Sequence, residues 1–248
     1  NEQKPYTLIL GDSVSFGVGV KEKDTFIGII RKKTQSNLLN TSIMGHNFKS
    51  HLYLLKENYK KFNKNIDQVV IFLCLNDIVP FQGVVKKEDI NKNNFFENFL
   101  KNKFIINLNI FLREKSALFV FLKGIFTNPV KRHYDYMLAL YEGEENLNES
   151  ENYIKRIKQY SSKNNLKIKF ILLPYAYQIN KNCRKDLMAP QKFINKIFTK
   201  QDLKLYDYSS NFCKNKDFNF FLRFDPVHLS KYGHKYVSNL LMEDKIFN

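Results

Sequence analysis

Cysteine is scarce in this chain, and Cys74, Cys183 and Cys213 include no Cys-x-x-Cys spacing. That argues against a metal cage or a disulfide framework, and leaves a single Cys183–Cys213 bridge open. Arginine is scarcer than the charge suggests. The net charge of +16 rests on 40 lysines and arginines, of which only six are arginine, scattered along the chain among asparagines. Arginine is the better fork for phosphates and base edges, so a solvated lysine-rich surface is expected and a nucleic-acid partner is not. Long apolar runs are also missing. Tyr6–Leu10 is too short for a signal peptide. The phenylalanine-rich stretch further on is broken by Asn107, Asn109, Arg113, Glu114 and Lys115, which argues against a membrane-spanning helix. The chain opens without methionine and almost on a strand, which leaves open a leader or anchor trimmed from its front; the sequence does not give the compartment, and a cell-envelope or secreted location is favoured on that ground alone. Finally, Gly17-x-Gly19 lacks the third glycine of a dinucleotide loop, Glu22 standing in its place.

What is present is a rhythm. The 248 residues, 44% of them hydrophobic, are enough for a single α/β domain with a sizeable core. Short apolar runs predict strands at Tyr6–Leu10, Asn37–Thr41, Gln68–Leu75, Lys167–Leu173 and Lys204–Tyr208. "QVVIFLCL" and "KIKFILL" are apolar enough to be covered on both faces, as in parallel sheets. Helical patterns lie between and after them, at about 24–34, 50–62, 149–163, 184–200 and 230–242, the last with Ser230 as its N-cap. Alternating strands and helices predict a doubly wound parallel sheet. The rhythm breaks at Pro80–Asn148, a segment too long for an ordinary connection. Helices packed on the domain are the preferred reading of this insertion; a lid or a membrane-docking element is the sharper one.

The polar residues at the carboxyl ends of the strands belong together. Gly11-Asp12-Ser13 follows the first strand, Gly45-His46-Asn47 the second and Asn76-Asp77 the third; Asp225-Pro226-Val227-His228 precedes the last helix. In doubly wound sheets that rim is where ligands sit. A serine hydroxyl needs a base, and His228 supplies an imidazole. Asp225, three residues earlier, can hold the other ring nitrogen and fix the tautomer. The amides of Ser13 and Gly45 and the carboxamide of Asn76 would make three donors to an oxyanion. Taken singly, each fragment has an ordinary explanation as a helix cap, a turn or a loop residue; the order and placement of all of them is what argues for a site. Asp12 and Asp77 read as acids bonding the backbone around the turns. His46, Tyr175 and Tyr177 are candidates to line a pocket, His51 and His133 read as surface residues, and His234 as packed or solvated on the last helix.

These residues resemble the SGNH (GDSL-type) hydrolase superfamily. "ILGDSVSFGVG" is similar to its first block, "TSIMGHN" to the second, "FLCLNDI" to the third and "FDPVHLSKYGHKYVSNLL" to the last. The likeness covers about 1–78 and 150–245. Two positions depart from it: Cys74 replaces the usual glycine of the third block, and Val14 the common leucine of the first. The resemblance implies a flavodoxin-like three-layer α/β/α sandwich with five parallel strands, and esterase chemistry with no metal or organic cofactor. It also implies a short-acyl ester of a carbohydrate or related small molecule as substrate. An O-acyltransferase acting on a glycan and a lipase-like esterase with a lid stay open as alternatives, as does membrane association.

Overall fold

The central strands are apolar along nearly their whole length, and that dictates where they lie. The structure, a computed structural model, describes residues 5–34, 36–62, 65–77, 103–126, 128–141, 143–216 and 219–247. Its five strands are β1 (Tyr6–Leu10), β2 (Leu38–Asn40), β3 (Ile66–Leu73), β4 (Lys167–Leu172) and β5 (Leu205–Asp207), all parallel in the order β2-β1-β3-β4-β5. Val69 to Leu73 on β3 and Phe170 to Leu172 on β4 are buried, as strands covered on both faces must be.

Eleven α-helices are present among the described residues. They are α1 (Ser13–Phe16), α2 (Phe26–Thr34), α3 (Phe48–Lys61), α4 (Lys103–Lys115), α5 (Ala117–Phe126), α6 (Pro129–Leu140), α7 (Glu144–Lys163), α8 (Ala176–Asn180), α9 (Ala189–Lys200), α10 (Ser209–Lys214) and α11 (Lys231–Glu243). From β1 the chain moves one way to β2, then back across β1 to β3 and onward. Right-handed crossovers therefore put α2 on one face and α3, α7 and α9 on the other. Two ring contacts agree with this. Phe72 meets Phe26 of α2 at 4.6 Å, whereas Phe170 meets Phe198 of α9 at 4.8 Å. Phe72 pairs in register with Ile171, so Phe170 points to the opposite face. Helix α11 joins α2, for Gln68 on the Phe72 face donates to the Ile246 carbonyl just beyond α11. The result is three layers, as expected, with a topological switch between β1 and β3.

Several boundaries move for local reasons. β3 ends at Leu73 rather than Leu75 because the Cys74 amide turns away to the Asp77 carboxylate, at 2.5 Å. Helix α3 begins at Phe48 because Asn47 caps it, accepting from the Ser50 amide at 3.2 Å. The helical pattern predicted from Arg184 opens as a 3-10 turn, Lys185–Met188, and α9 starts at Ala189, where Pro190 tolerates having no N–H to donate. Ser230 caps α11 as expected, accepting from Gly233 N at 3.1 Å.

The insertion contains α4, α5 and α6, and α7 begins within its predicted bounds; its part before Lys103 lies outside the described residues. Helix α6 joins the core, with Tyr134 and Met137 buried and the Tyr134 hydroxyl donating to the Leu187 carbonyl at 2.7 Å. Cys183 and Cys213 form a disulfide, tying the turn after α8 to α10. Among the described residues Cys74 is the free cysteine, and it is buried.

Candidate active site

The first turn of α1 shows why Gly-Asp-Ser is spelled as it is. A Cβ on Gly11 would fall 2.2 Å from the Ser15 hydroxyl and 3.2 Å from the Phe72 carbonyl, so the close packing of the turn on β3 requires glycine. Asp12 is the helix N-cap, its Oδ1 accepting from the Val14 amide at 2.9 Å. Capping thus falls to Asp12, and the Ser13 side chain is left for other work. Its hydroxyl lies 2.9 Å from Nε2 of His228.

His228 is held by its own turn. Asp225 Oδ1 accepts from the Val227 amide at 2.8 Å and the His228 amide at 2.7 Å, while Oδ2 meets the ring Nδ1 at 2.8 Å. The Leu222 amide closes the loop onto the His228 carbonyl at 2.9 Å. Phe224, just before the aspartate, sits in the left-handed region at φ 63°, a conformation that costs a bulky residue and that tends to occur at functional sites. Burial works against the charge on Asp225, but the hydrogen bonds from His228 and Val227 outweigh it and hold the carboxyl below its ordinary value. The bond to Asp225 raises His228 above the usual imidazole value, against partial burial. An imidazole so placed can take a proton from Ser13 on one nitrogen while its other N–H stays on the carboxylate.

The remaining segments converge on the same rim. Asn76 is gripped at both ends: Nδ2 donates to Asp12 Oδ2 at 3.1 Å, and Oδ1 accepts from the Tyr175 hydroxyl at 2.6 Å. A carboxamide has two N–H groups, so one is left for a ligand. The Gly45 loop is stitched to its neighbours, Ile43 N donating to the Gly11 carbonyl at 3.2 Å and Phe48 N to the Asp77 carbonyl at 3.1 Å. Gly45 itself is exposed in the left-handed region at φ 77°. Among the described residues neither its amide nor that of Ser13 donates a hydrogen bond.

Beneath this rim is a buried polar cluster. Burial, then the neighbouring Asp77, pushes Asp12 up to about 7. Burial raises Asp77 well above the carboxylate range and the Cys74 thiol well above its own. His51, wholly buried, is pushed down to about 4 by burial, and its Nε2 lies 3.5 Å from Asp77 Oδ1. The ligand atoms of Asp12, Cys74 and Asp77 lie within 4.8 Å of one another, close enough to share an ion. The two carboxylates, however, already serve the amides of Val14 and Cys74 and the Asn76 carboxamide, which is the bonding around the turns expected of them. The thiol of Cys74 lies in this cluster, and Asn76 keeps both of its contacts beside it.

Some placements differ from the sequence reading. His51 is not on the surface: it falls on the buried stripe of α3 with Phe48, Leu52, Leu55 and Tyr59, a periodicity that was readable. His133, also read as a surface residue, is half-buried, its ring 5.5 Å from that of Tyr175. Tyr175 is itself fully buried, so it positions Asn76 and does not line open space. Tyr177 stacks on Tyr134 at 5.3 Å. His46 is partly buried, its ring 6.5 Å from His51. His234 is packed: its Nδ1 accepts from the Phe26 amide at 3.3 Å, and burial pushes it down to about 4.

No protein-family model and no curated protein matches the chain. Solved structures do. It is similar to the acetyl xylan esterase AlAXEase at 17% identity and a TM-score of 0.52, covering 96% of this chain and 98% of that one. It is also similar to the psychrotrophic esterase EstA from Pseudoalteromonas sp., at 14% identity, a TM-score of 0.52 and coverage of 98% and 96%. A third is Axe2, an acetylxylan esterase from Geobacillus stearothermophilus, at 13% identity, a TM-score of 0.52 and coverage of 98% and 95%. The fold, a three-layer α/β/α sandwich on a five-stranded parallel sheet, is the one these proteins share.

Proposed function

We propose that the chain is a serine esterase that hydrolyses carboxylic esters through an acyl-enzyme on Ser13. The observation that carries this reading is the relay in which Ser13 Oγ lies 2.9 Å from His228 Nε2 and His228 Nδ1 lies 2.8 Å from Asp225 Oδ2. Ser13 attacks the ester carbonyl as His228 takes its proton, and Asp225 steadies the imidazolium. The oxyanion is met by the Ser13 and Gly45 amides and the free N–H of Asn76; losing one such donor typically costs about 3 kcal/mol. His228 then passes its proton to the leaving alcohol. Water, deprotonated by the same imidazole, releases the acid and restores Ser13.

For the substrate we propose a short acyl group, acetyl first, on a carbohydrate or a related small alcohol. Support comes from the similarly folded AlAXEase and Axe2, both acetyl xylan esterases. A second reading, a lipase-like esterase for longer chains, is favoured by one observation. Phe16, Ile43, Met44 and Phe224, all close in sequence to Ser13, Gly45 or Asp225, are exposed apolar side chains. Nitrophenyl esters from acetate to decanoate, assayed on wild type and Ser13→Ala, separate the two. The first predicts rates falling with chain length, the second rates rising, and both predict loss in Ser13→Ala. Activity unchanged in Ser13→Ala would overturn both.

A further inference from the structure

Helices α4 and α5 put apolar side chains where a folded chain usually keeps them out of water. On α5, Leu118 is 65% exposed, Phe121 64% and Leu122 41%, three residues on one face. On α4, Leu108, Ile110 and Phe111 are all exposed and spread over about 160° of the helix circumference. The two helices are joined by Ser116, which caps α5 by accepting from the Phe119 amide at 3.1 Å. The sheet already has its own apolar cover, so this exposure is not spare core. The charge is as telling. Residues 103–126 carry Lys103, Arg113, Lys115 and Lys123 against Glu114 alone, within a chain of net charge +16.

We infer that the α4–α5 hairpin is an interfacial anchor that docks on an anionic lipid bilayer. Apolar residues this widely spread do not suit one complementary groove, but they suit a fluid apolar layer bounded by negative headgroups. No helix of the described residues is long and apolar enough to cross a membrane, so the hairpin lies in the surface. Lysines such as the exposed Lys115, at the end of α4, can lay their stems along the apolar layer and keep their charge among the headgroups. The hairpin leads directly into α6, whose His133 lies against Tyr175 beneath the candidate site. The inference rests on exposure and charge and is independent of the esterase reading.

The test is flotation of the purified chain with vesicles of phosphatidylcholine, with and without phosphatidylglycerol, across a salt series. Binding is expected to anionic vesicles, to weaken with added salt, and to be slight on neutral ones. The double variant Leu118→Asp/Phe121→Asp should lower partitioning at least about tenfold. Its circular dichroism and its labelling at Ser13 by a fluorophosphonate should match wild type, which separates loss of docking from loss of fold. No binding to anionic vesicles, or equal binding by the double variant, overturns the inference. So does a self-associated state that the double variant abolishes in the absence of any vesicle binding, since the face would then serve a second copy of the chain.

Discussion

Phenylalanines of the sheet and phenylalanines of the insertion answer to different constraints. Phe72 and Phe170 are buried, each against an aromatic ring of a covering helix, whereas Phe111 and Phe121 are largely exposed. The sheet has two layers of helix to satisfy it, and its apolar content fixes the rim on which Ser13, Asn76 and His228 meet. Among the described residues, α4 and α5 pack chiefly on each other. Composition alone does not say which apolar residues hold a fold together and which stay exposed on its surface.

The sharpest break between the two regions is in activity. Ser13→Ala should lower ester turnover by about ten-thousandfold, while Leu118→Asp/Phe121→Asp leaves turnover of a short soluble ester unchanged; steady-state kinetics reads both. Stability draws the same line. Phe72→Ala should cost about 3–5 kcal/mol by denaturant unfolding, and Phe121→Ala should stay within about 0.5 kcal/mol. Equal costs would erase the comparison.

Within the site, smaller effects sharpen it. Tyr175→Phe removes the hydroxyl that holds Asn76 Oδ1 and should lower kcat about three- to tenfold with little change in KM, the mark of a group acting on the transition state. The acid limb of the pH profile follows from the direction of the His228 shift. His228 must be neutral to accept the Ser13 proton, and its bond to Asp225 raises its pKa. Activity should therefore begin to fall above the pH at which a free imidazole would protonate, and Asp225→Asn should abolish that shift along with most of the rate.

Much of this was written in the chain. Ser13, Asn76, Asp225 and His228 stood out because each follows an apolar strand or precedes a capped helix. The parallel sheet was legible in the unbroken apolar runs of β3 and β4. Contacts across long separations were not. Nothing local to Tyr175 says that its hydroxyl reaches Asn76, 99 residues away. Nothing in the spacing of Cys183 and Cys213 says that their Cα atoms stand 5.8 Å apart. His51 was missed for a different reason: its place on the α3 stripe was visible, but a histidine is read as polar, and burial holds this one neutral. In the insertion, helices were expected, yet whether their apolar faces turn inward is decided by packing and not by periodicity.

The proposed mechanism requires that Ser13, activated by His228, form a covalent intermediate. Its most direct test is intact mass spectrometry after treatment with a fluorophosphonate, followed by peptide mapping. A single adduct on Ser13 is expected in wild type, none in Ser13→Ala, and a labelling rate lowered at least about a hundredfold in His228→Ala. An adduct on another residue, or labelling of Ser13 at the same rate without His228, would contradict it.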